Sequence, residues 1–71
     1  MRMILSIDAD RLVGFVRTAN LVEMHVFDTV EQVMAMRAEM PIFLSDSLFS
    51  DETTNPKTLA LIADLIQTLE S

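Results

Sequence analysis

Residues 21–44 read LVEMHVFDTVEQVMAMRAEMPIFL, and the spacing of their apolar residues changes twice along the segment. Residues 21–27 alternate, with Val22, Met24 and Val26 on one side and polar or aromatic residues on the other. Because successive side chains of a strand point to opposite faces, this alternation is typical of a half-buried or edge strand. We therefore predict a strand here.

Helical spacing replaces the alternation after this strand. Asp28 is a candidate N-cap with Glu31 three residues later, which is the arrangement of a capping box. The apolar positions of the helix that follows are Val30, Val33, Met34, Met36 and Met40. Pro41 ends the helix, and residues 42–44 form a short apolar run typical of a buried strand. Strand, helix and strand in sequence predict a parallel crossover unit.

The residues before this unit are predicted to form another strand and helix. Residues 3–7 are apolar enough for a first strand, and Asp8 or Asp10 could cap a helix that Asn20 closes. The apolar positions of this helix are Leu12, Phe15, Val16 and Ala19, which have helical spacing. Gly14, the single glycine of the chain, either weakens this helix or marks a place of close packing.

The C-terminal part is predicted to be a loop followed by a helix. Residues 45–55 are mostly polar, and Asn55 followed by Pro56 is the pattern of a cap and a first helical residue. This helix extends to about Leu69. The order of elements is then βαβαβα, an α/β fold with a three-stranded parallel sheet in one domain, residues 1–71. An α+β fold with a mixed sheet and a mostly helical fold are the alternatives.

The composition narrows the classes of partner. The 71 residues are 51% hydrophobic with a mean hydropathy of +0.36, although a chain this short buries only about 60% of its unfolded surface. Apolar surface is therefore expected to remain for a partner. No apolar run approaches the ~18–20 residues of a membrane span. Eleven acids against five bases repel phosphates and anionic lipids, so we expect a basic protein partner and neither nucleic acid nor a membrane.

The residues that common catalytic sites need are scarce. The chain lacks cysteine, which excludes a disulfide framework and a catalytic thiolate and indicates the reducing cytoplasm. One glycine cannot build the usual phosphate-binding loops, so common nucleotide enzymes are excluded. His25 is the single histidine and is expected to be a solvated strand residue. We predict that the protein is not an enzyme and has no cofactor.

Acidic residues follow each predicted strand. Asp8, Asp28 and Asp46 would converge at one edge of a parallel sheet, where Asp10 or Ser47 could complete a magnesium site. The competing interpretation, which we favour, is that these residues are helix caps and solvated loop acids. We therefore predict no metal site, with Asp8, Asp10 and Asp46 as the cluster to examine.

The order of elements resembles part of a CheY-like receiver or another flavodoxin-like domain. In one superposition, ILSIDAD at residues 4–10 is similar to the first strand and acidic pair of a receiver, and Asp46 after FLS at residues 43–45 to its phosphoacceptor. In another, residues 37–45, RAEMPIFLS, resemble a later helix and Pro-led strand. Both cover fragments, and the first lacks the strands that carry the family's hydroxyl and lysine, so phosphotransfer is not implied.

Two segments have more apolar surface than a small fold needs. The last helix is apolar around most of its circumference, so it is either enclosed by its own fold or shared across a symmetric dimer. The loop places Leu48 and Phe49 among acids and hydroxyls, where they could anchor a partner or close the core. The predicted interface consists of Leu59, Ile62, Leu65, Ile66, Leu69, Leu48 and Phe49.

These observations favour a non-catalytic protein–protein interaction module that adapts, inhibits or regulates another protein and acts as a homodimer. A truncated receiver-like domain that binds magnesium or a phosphoryl group is an alternative from another class. A fragment of a larger enzyme, whose apolar surplus is an interdomain interface, is a third.

Overall fold

A computed structural model describes residues 1–50 and 53–71. Asp51 and Glu52, which belong to the predicted polar loop, lie outside the described residues. The elements in chain order are strands β1 (Arg2–Asp8), β2 (Arg11–Arg17) and β3 (Val22–Phe27), helix α1 (Val30–Arg37), strand β4 (Ile42–Leu44), a short 3-10 helix (Asp46–Phe49) and helix α2 (Pro56–Glu70).

The four strands form one mixed sheet in the order β3-β2-β1-β4. β1 pairs antiparallel with β2, and β2 with β3, whereas β1 and β4 run parallel. The predicted βαβαβα order with a three-stranded parallel sheet is therefore wrong. The alternative, an α+β fold with a mixed sheet, describes the structure.

The error lies in the predicted helix after the first strand, which is strand β2. Ala9 and Asp10 have φ values of 51° and 60°, as in the two-residue turns whose twist matches that of a hairpin. The chain therefore reverses instead of entering a helix, and Asp8 pairs with Arg11 at the first position of β2. Asp8 therefore precedes the turn and Asp10 is part of it, so neither residue caps a helix.

Helix α1 was predicted correctly in kind but not in its ends. Its N-cap is Thr29, whose hydroxyl accepts a hydrogen bond from the Gln32 backbone N–H at 3.3 Å. The Gln32 side chain accepts in return from the N–H groups of Asp28 and Thr29, at 2.7 and 3.2 Å. This box stands one residue later than the predicted one at Asp28, and the helix ends at Arg37, so Met40 is outside it.

The predictions for strand β3 and helix α2 are confirmed. β3 is an edge strand, and its alternation places Phe27 on the helix side of the sheet. Asn55 caps α2 by accepting from the N–H groups of Lys57 and Thr58 at 3.0 and 3.4 Å, with Pro56 as the first helical residue. The short apolar run 42–44 is a strand, β4, as predicted, but it is an edge strand and not the predicted buried one, because Phe43 and Leu44 are 53% and 36% exposed.

The hydrophobic core lies between the two helices and one face of the sheet. Its buried members are Met3, Leu5, Leu12, Val16, Phe27, Val33, Met40, Leu48, Ile62 and Leu65. Gly14 lies under this core on β2, where an added Cβ would be 2.5 Å from the Met3 sulfur and 2.7 Å from the Phe27 ring. A larger residue here would have to displace Met3 or Phe27, so Gly14 marks a place of close packing, as one of the two sequence interpretations expected.

Candidate interaction surface

The face of the sheet that points away from the core is apolar across all four strands. Met3 and Leu5 of β1 point into the core, so the residues between them point outward, and the paired registers extend this alternation to the other strands. We call the outward side the open face. Its apolar residues are Ile4, Val13, Phe15, Val22, Met24, Val26 and Phe43.

These side chains are contiguous, and the outer ones are strongly exposed. Ile4 lies between Phe43 and Phe15 in the register, and Phe15 lies beside Met24, so one apolar row crosses the whole sheet. Phe43 is 53% exposed and Met24 47%, with Val22 at 63% and Val26 at 40%. Val13 near the centre is fully buried. The row is a continuous apolar surface and not a set of isolated residues.

The area of the open face is large for so small a molecule. Strands spaced about 4.8 Å apart with about 3.3 Å per residue give a plane of roughly 350 Å² for three long strands and short β4. The largest apolar patch on a monomeric protein typically measures about 300–600 Å² and is often functional. The open face therefore has the size and composition of an interaction surface.

Charged residues lie at both ends of the open face. Arg2 and Arg17 are directly paired at one end, which we call the basic end. At the other end, Asp8 pairs with Arg11, and Asp28 follows the last residue of β3. This end therefore carries charges of both signs. Of the described charged residues, three bases, Arg2, Arg11 and Arg17, lie on the open-face side of the strands together with one strand acid, Asp8.

The predicted interface residues are divided between the core and the surface. Ile62, Leu65 and Leu48 are at most 6% exposed and belong to the core. Ile66 and Leu69 are half-buried and pack against it. The exposed members are Leu59 and Phe49, at 47% and 64%.

The acids considered for metal binding share one edge of the sheet but form no metal-binding cluster among the described residues. β1, β3 and β4 run in the same direction, so Asp8, Asp28 and Asp46 do lie at the same edge of the sheet. Among residues 1–50 and 53–71, however, no three acidic or histidine side chains are close enough to hold a metal ion. The Asp10 carbonyl accepts a hydrogen bond from the Thr58 hydroxyl at 2.6 Å, which ties the hairpin to α2.

Three serine hydroxyls meet where β4 ends. The Ser47 hydroxyl lies 2.9 Å from that of Ser6 and 2.6 Å from that of Ser45. It also accepts from the backbone N–H of Ile7 at 3.1 Å. The Ser47 hydroxyl thereby takes the hydrogen bond of the Ile7 N–H on β1, a group that the three-residue strand β4 is too short to pair with. This arrangement is structural, because the hydroxyl bonds to backbone and to other hydroxyls.

His25 lies on the helix side of β3. Its Nε2 is 3.6 Å from a carboxylate oxygen of Glu23, two residues away on the same strand. Both side chains are substantially exposed, at 41% and 59%. The pair is a surface contact of the kind expected to contribute little to stability.

A shallow groove separates the two helices. Val30 and Met34 of α1 line it together with Glu31, and Asp64 of α2 lines the opposite wall. The cavity has a volume of about 580 Å³. Two carboxylates from opposite helices therefore line a groove of mixed polarity.

The open face was only partly visible in the sequence. Its β3 side, Val22, Met24 and Val26, was recognised as one face of an edge strand. Val13 and Phe15 were missed because they were assigned to a helix. The signal that could have found them is the alternation that places Leu12, Gly14 and Val16 on one side and these two residues on the other.

The comparisons with known proteins give no family to draw on. The chain matches no protein-family model, and no match was found among curated proteins or among solved structures. The order of alternating strands and helices on which the receiver resemblance rested is not the observed order. In the described part of the chain, neither helix has both the length and the apolar character needed to cross a membrane.

Proposed function

We propose that this chain is a non-catalytic protein–protein interaction module that acts in the cytoplasm as a homo-oligomer. The observation that carries this proposal is the open face, a contiguous apolar surface on a molecule whose core is already complete. Leaving Phe43, Met24, Val22 and Val26 in water forgoes the free energy of their burial. Self-association removes that surface from water without requiring any other protein.

The size of the open face supports a dimer of modest affinity. Two such faces with their charged rims bury on the order of 1,000 Å² in total, near the lower bound for a specific interface. A dimer of this size is expected to dissociate on dilution. An adaptor or regulator can use such an equilibrium, because association then responds to concentration.

Met24→Lys is expected to weaken the dimer by at least tenfold, because it places a charge in the middle of the apolar row that crosses the sheet. Ala35→Lys is the matched control: it adds the same charge at an exposed position on α1. The molar mass of each chain is measured by light scattering after size exclusion at several concentrations. A wild-type chain that stays monomeric at high concentration, or a Met24→Lys chain that associates like Ala35→Lys, would overturn the proposal.

A basic protein is the partner class that the remaining surface favours. Since Arg2, Arg11 and Arg17 lie on the open face, the described residues elsewhere carry two bases and eight acids. In the groove between α1 and α2, the apolar side chains of Val30 and Met34 are found together with the carboxylates of Glu31 and Asp64. A segment that combines apolar side chains with lysine or arginine is complementary to such a groove.

Binding of a fluorescent peptide with alternating leucine and lysine tests this second surface. Glu31→Gln combined with Asp64→Asn is expected to lower the affinity for the peptide about tenfold at low salt, because both groove carboxylates are lost. Glu39→Gln combined with Glu70→Gln removes the same charge elsewhere. Equal weakening in both double variants would show that the peptide follows net charge and not the groove.

A further inference from the structure

Strand β3 leaves one edge of the sheet without a neighbour. In the described part of the chain, β3 pairs with β2 alone, and it is six residues long. We propose that two copies of the chain join through this edge, β3 against β3, so that two four-stranded sheets become one sheet of eight strands. This inference goes beyond the proposed contact between open faces, because the groups that meet are backbone groups at the edge of the sheet.

The backbone groups that point outward from β3 belong to Val22, Met24 and Val26. Thr18 donates its N–H to the Leu21 carbonyl at 3.0 Å, so these two residues form a hydrogen-bonded pair where the β2–β3 hairpin turns. Bonded and non-bonded pairs alternate along antiparallel strands, so from Leu21 onward every second residue of β3 bonds to β2. The residues between them present three N–H and three C=O groups to a second strand.

β3 lacks the features that usually protect an edge strand from pairing. Edge strands are commonly very short or carry proline, lysine or a bulge, because their unpaired backbone groups recruit other strands. Residues 22–27 contain neither proline nor lysine, and their register with β2 is uninterrupted. The other edge strand, β4, has three residues and directly follows Pro41. β3 is therefore the edge suited to a second strand.

A second copy fits this edge because the sequence of β3 is complementary to itself. Two-fold symmetry makes the two strands antiparallel. With Met24 opposite Met24 of the second copy, Val22 lies opposite Val26, and every outward donor and acceptor meets a counterpart. Glu23 then lies opposite His25, whose ring can donate a hydrogen bond to the carboxylate. The side chains of Glu23 and His25 are 59% and 41% exposed, so neither helix blocks the approach.

Neighbouring registers of the same pairing are less favourable. A shift by two residues in one direction places Glu23 opposite Glu23, and like charges directly opposite each other are destabilising. The same shift in the other direction places Glu23 opposite Phe27, an apolar residue that cannot accept or donate a hydrogen bond. Either shift also leaves one outward residue of each copy without a counterpart in the other strand. The central register is therefore the one that we infer.

This register also joins the two open faces into one surface. The apolar row formed by Phe43, Ile4, Phe15 and Met24 ends at β3, and Met24 opposite Met24 continues it into the second copy. The joined plane measures roughly 700 Å², twice that of one chain, which exceeds the largest apolar patch of a typical monomer. Two such sheets that also pack face to face form a tetramer.

Single introduced cysteines test the edge contact, because the chain has no cysteine of its own. Met24→Cys is expected to form a disulfide-linked dimer under mild oxidation at least tenfold faster than Ala35→Cys, an exposed control on α1. Opposite residues of a bonded pair have Cα atoms about 5.5 Å apart, which a disulfide can span. Faces packed about 10 Å apart would hold the same two cysteines beyond that reach.

Val22→Cys and Val26→Cys test the register. In the central register each cysteine lies about 13 Å along the strand from its own counterpart, so neither variant alone is expected to link faster than Ala35→Cys. An equimolar mixture of the two is expected to form the mixed disulfide, because position 22 of one copy lies opposite position 26 of the other. Mass spectrometry identifies the linked species. Either variant alone linking as fast as Met24→Cys would overturn the register.

The outcomes separate this inference from the proposed function. Phe43→Lys charges the open face on β4, at the opposite edge of the sheet from β3. A wild-type chain that is monomeric at high concentration in light scattering would overturn both proposals. A chain whose association Phe43→Lys weakens, but whose Met24→Cys variant links no faster than Ala35→Cys, would overturn the edge contact alone. Rapid linking of Met24→Cys with no effect of Phe43→Lys on the mass would support the edge contact and overturn the open-face contact. Circular dichroism confirms that each variant remains folded.

Discussion

Ile62→Glu is expected to unfold the chain. Ile62 is 5% exposed and belongs to the core between α2 and the sheet. A carboxylate at this position would lose its hydration without a partner, which costs several kcal/mol by order of magnitude. The total stability of a small domain is only about 5–15 kcal/mol, and a chain this short is at the low end of that range. We expect loss of the helical circular dichroism signal and of a cooperative urea transition.

Leu59→Glu is the matched control for this variant. Leu59 is on the same helix, one turn earlier, but is 47% exposed, so a carboxylate there stays hydrated. We expect Leu59→Glu to unfold at nearly the same urea concentration as the wild type. An Ile62→Glu chain that remains folded and only dissociates would show instead that α2 is an interface helix, as the sequence first suggested.

The sheet is wider than predicted, and this explains how the chain itself can bury the wide apolar arc of α2. The sequence predicted three strands, and a sheet that narrow leaves part of the arc uncovered. The observed sheet has four strands, and the 3-10 helix adds Leu48 to the same core. Ile62 and Leu65 are therefore buried by their own chain. The most exposed large apolar side chains of the sheet are on its other side, at Met24 and Phe43 for example.

The elements that were predicted correctly carry local signals. Asn55 followed by Pro56 begins α2, and the alternation at residues 22–27 has no competing helical reading. Residues 11–17 satisfy both periods, since Leu12, Phe15 and Val16 have helical spacing while Leu12, Gly14 and Val16 alternate. The turn before them decides between the two, but Ala9 and Asp10 lack the glycine or asparagine that usually marks it.

The interaction surface was hidden for the same reason. A sheet face is defined by the pairing of strands that are distant in sequence, as where Phe43 lies beside Ile4 and Phe15 beside Met24. Without β2 these residues have no common surface. The composition did predict that apolar surface would remain, but composition does not tell where on the molecule that surface lies.

Gly14→Ala is expected to lower the free energy of unfolding by roughly 1–3 kcal/mol, the usual cost of overfilling a packed core. The new Cβ would lie 2.5 Å from the Met3 sulfur, 2.9 Å from the Met3 Cγ and 2.7 Å from the Phe27 ring. Conformational entropy alone predicts the opposite sign, because alanine in a strand is favoured over glycine by about 0.5–1 kcal/mol. The direction of the shift in the urea midpoint therefore distinguishes the two effects.

A double-mutant cycle with Met3→Ala tests the cause of this loss. Met3→Ala alone removes a fully buried side chain and is expected to cost about 2–5 kcal/mol. In the double variant the methyl group at position 14 enters the space that Met3 vacated. The double variant should therefore lose less unfolding free energy than the sum of the two single losses, with a favourable coupling of at least about 0.5 kcal/mol. Strict additivity, or a Gly14→Ala chain as stable as the wild type, would show that Met3 and Phe27 move aside and that the glycine is not required for their packing.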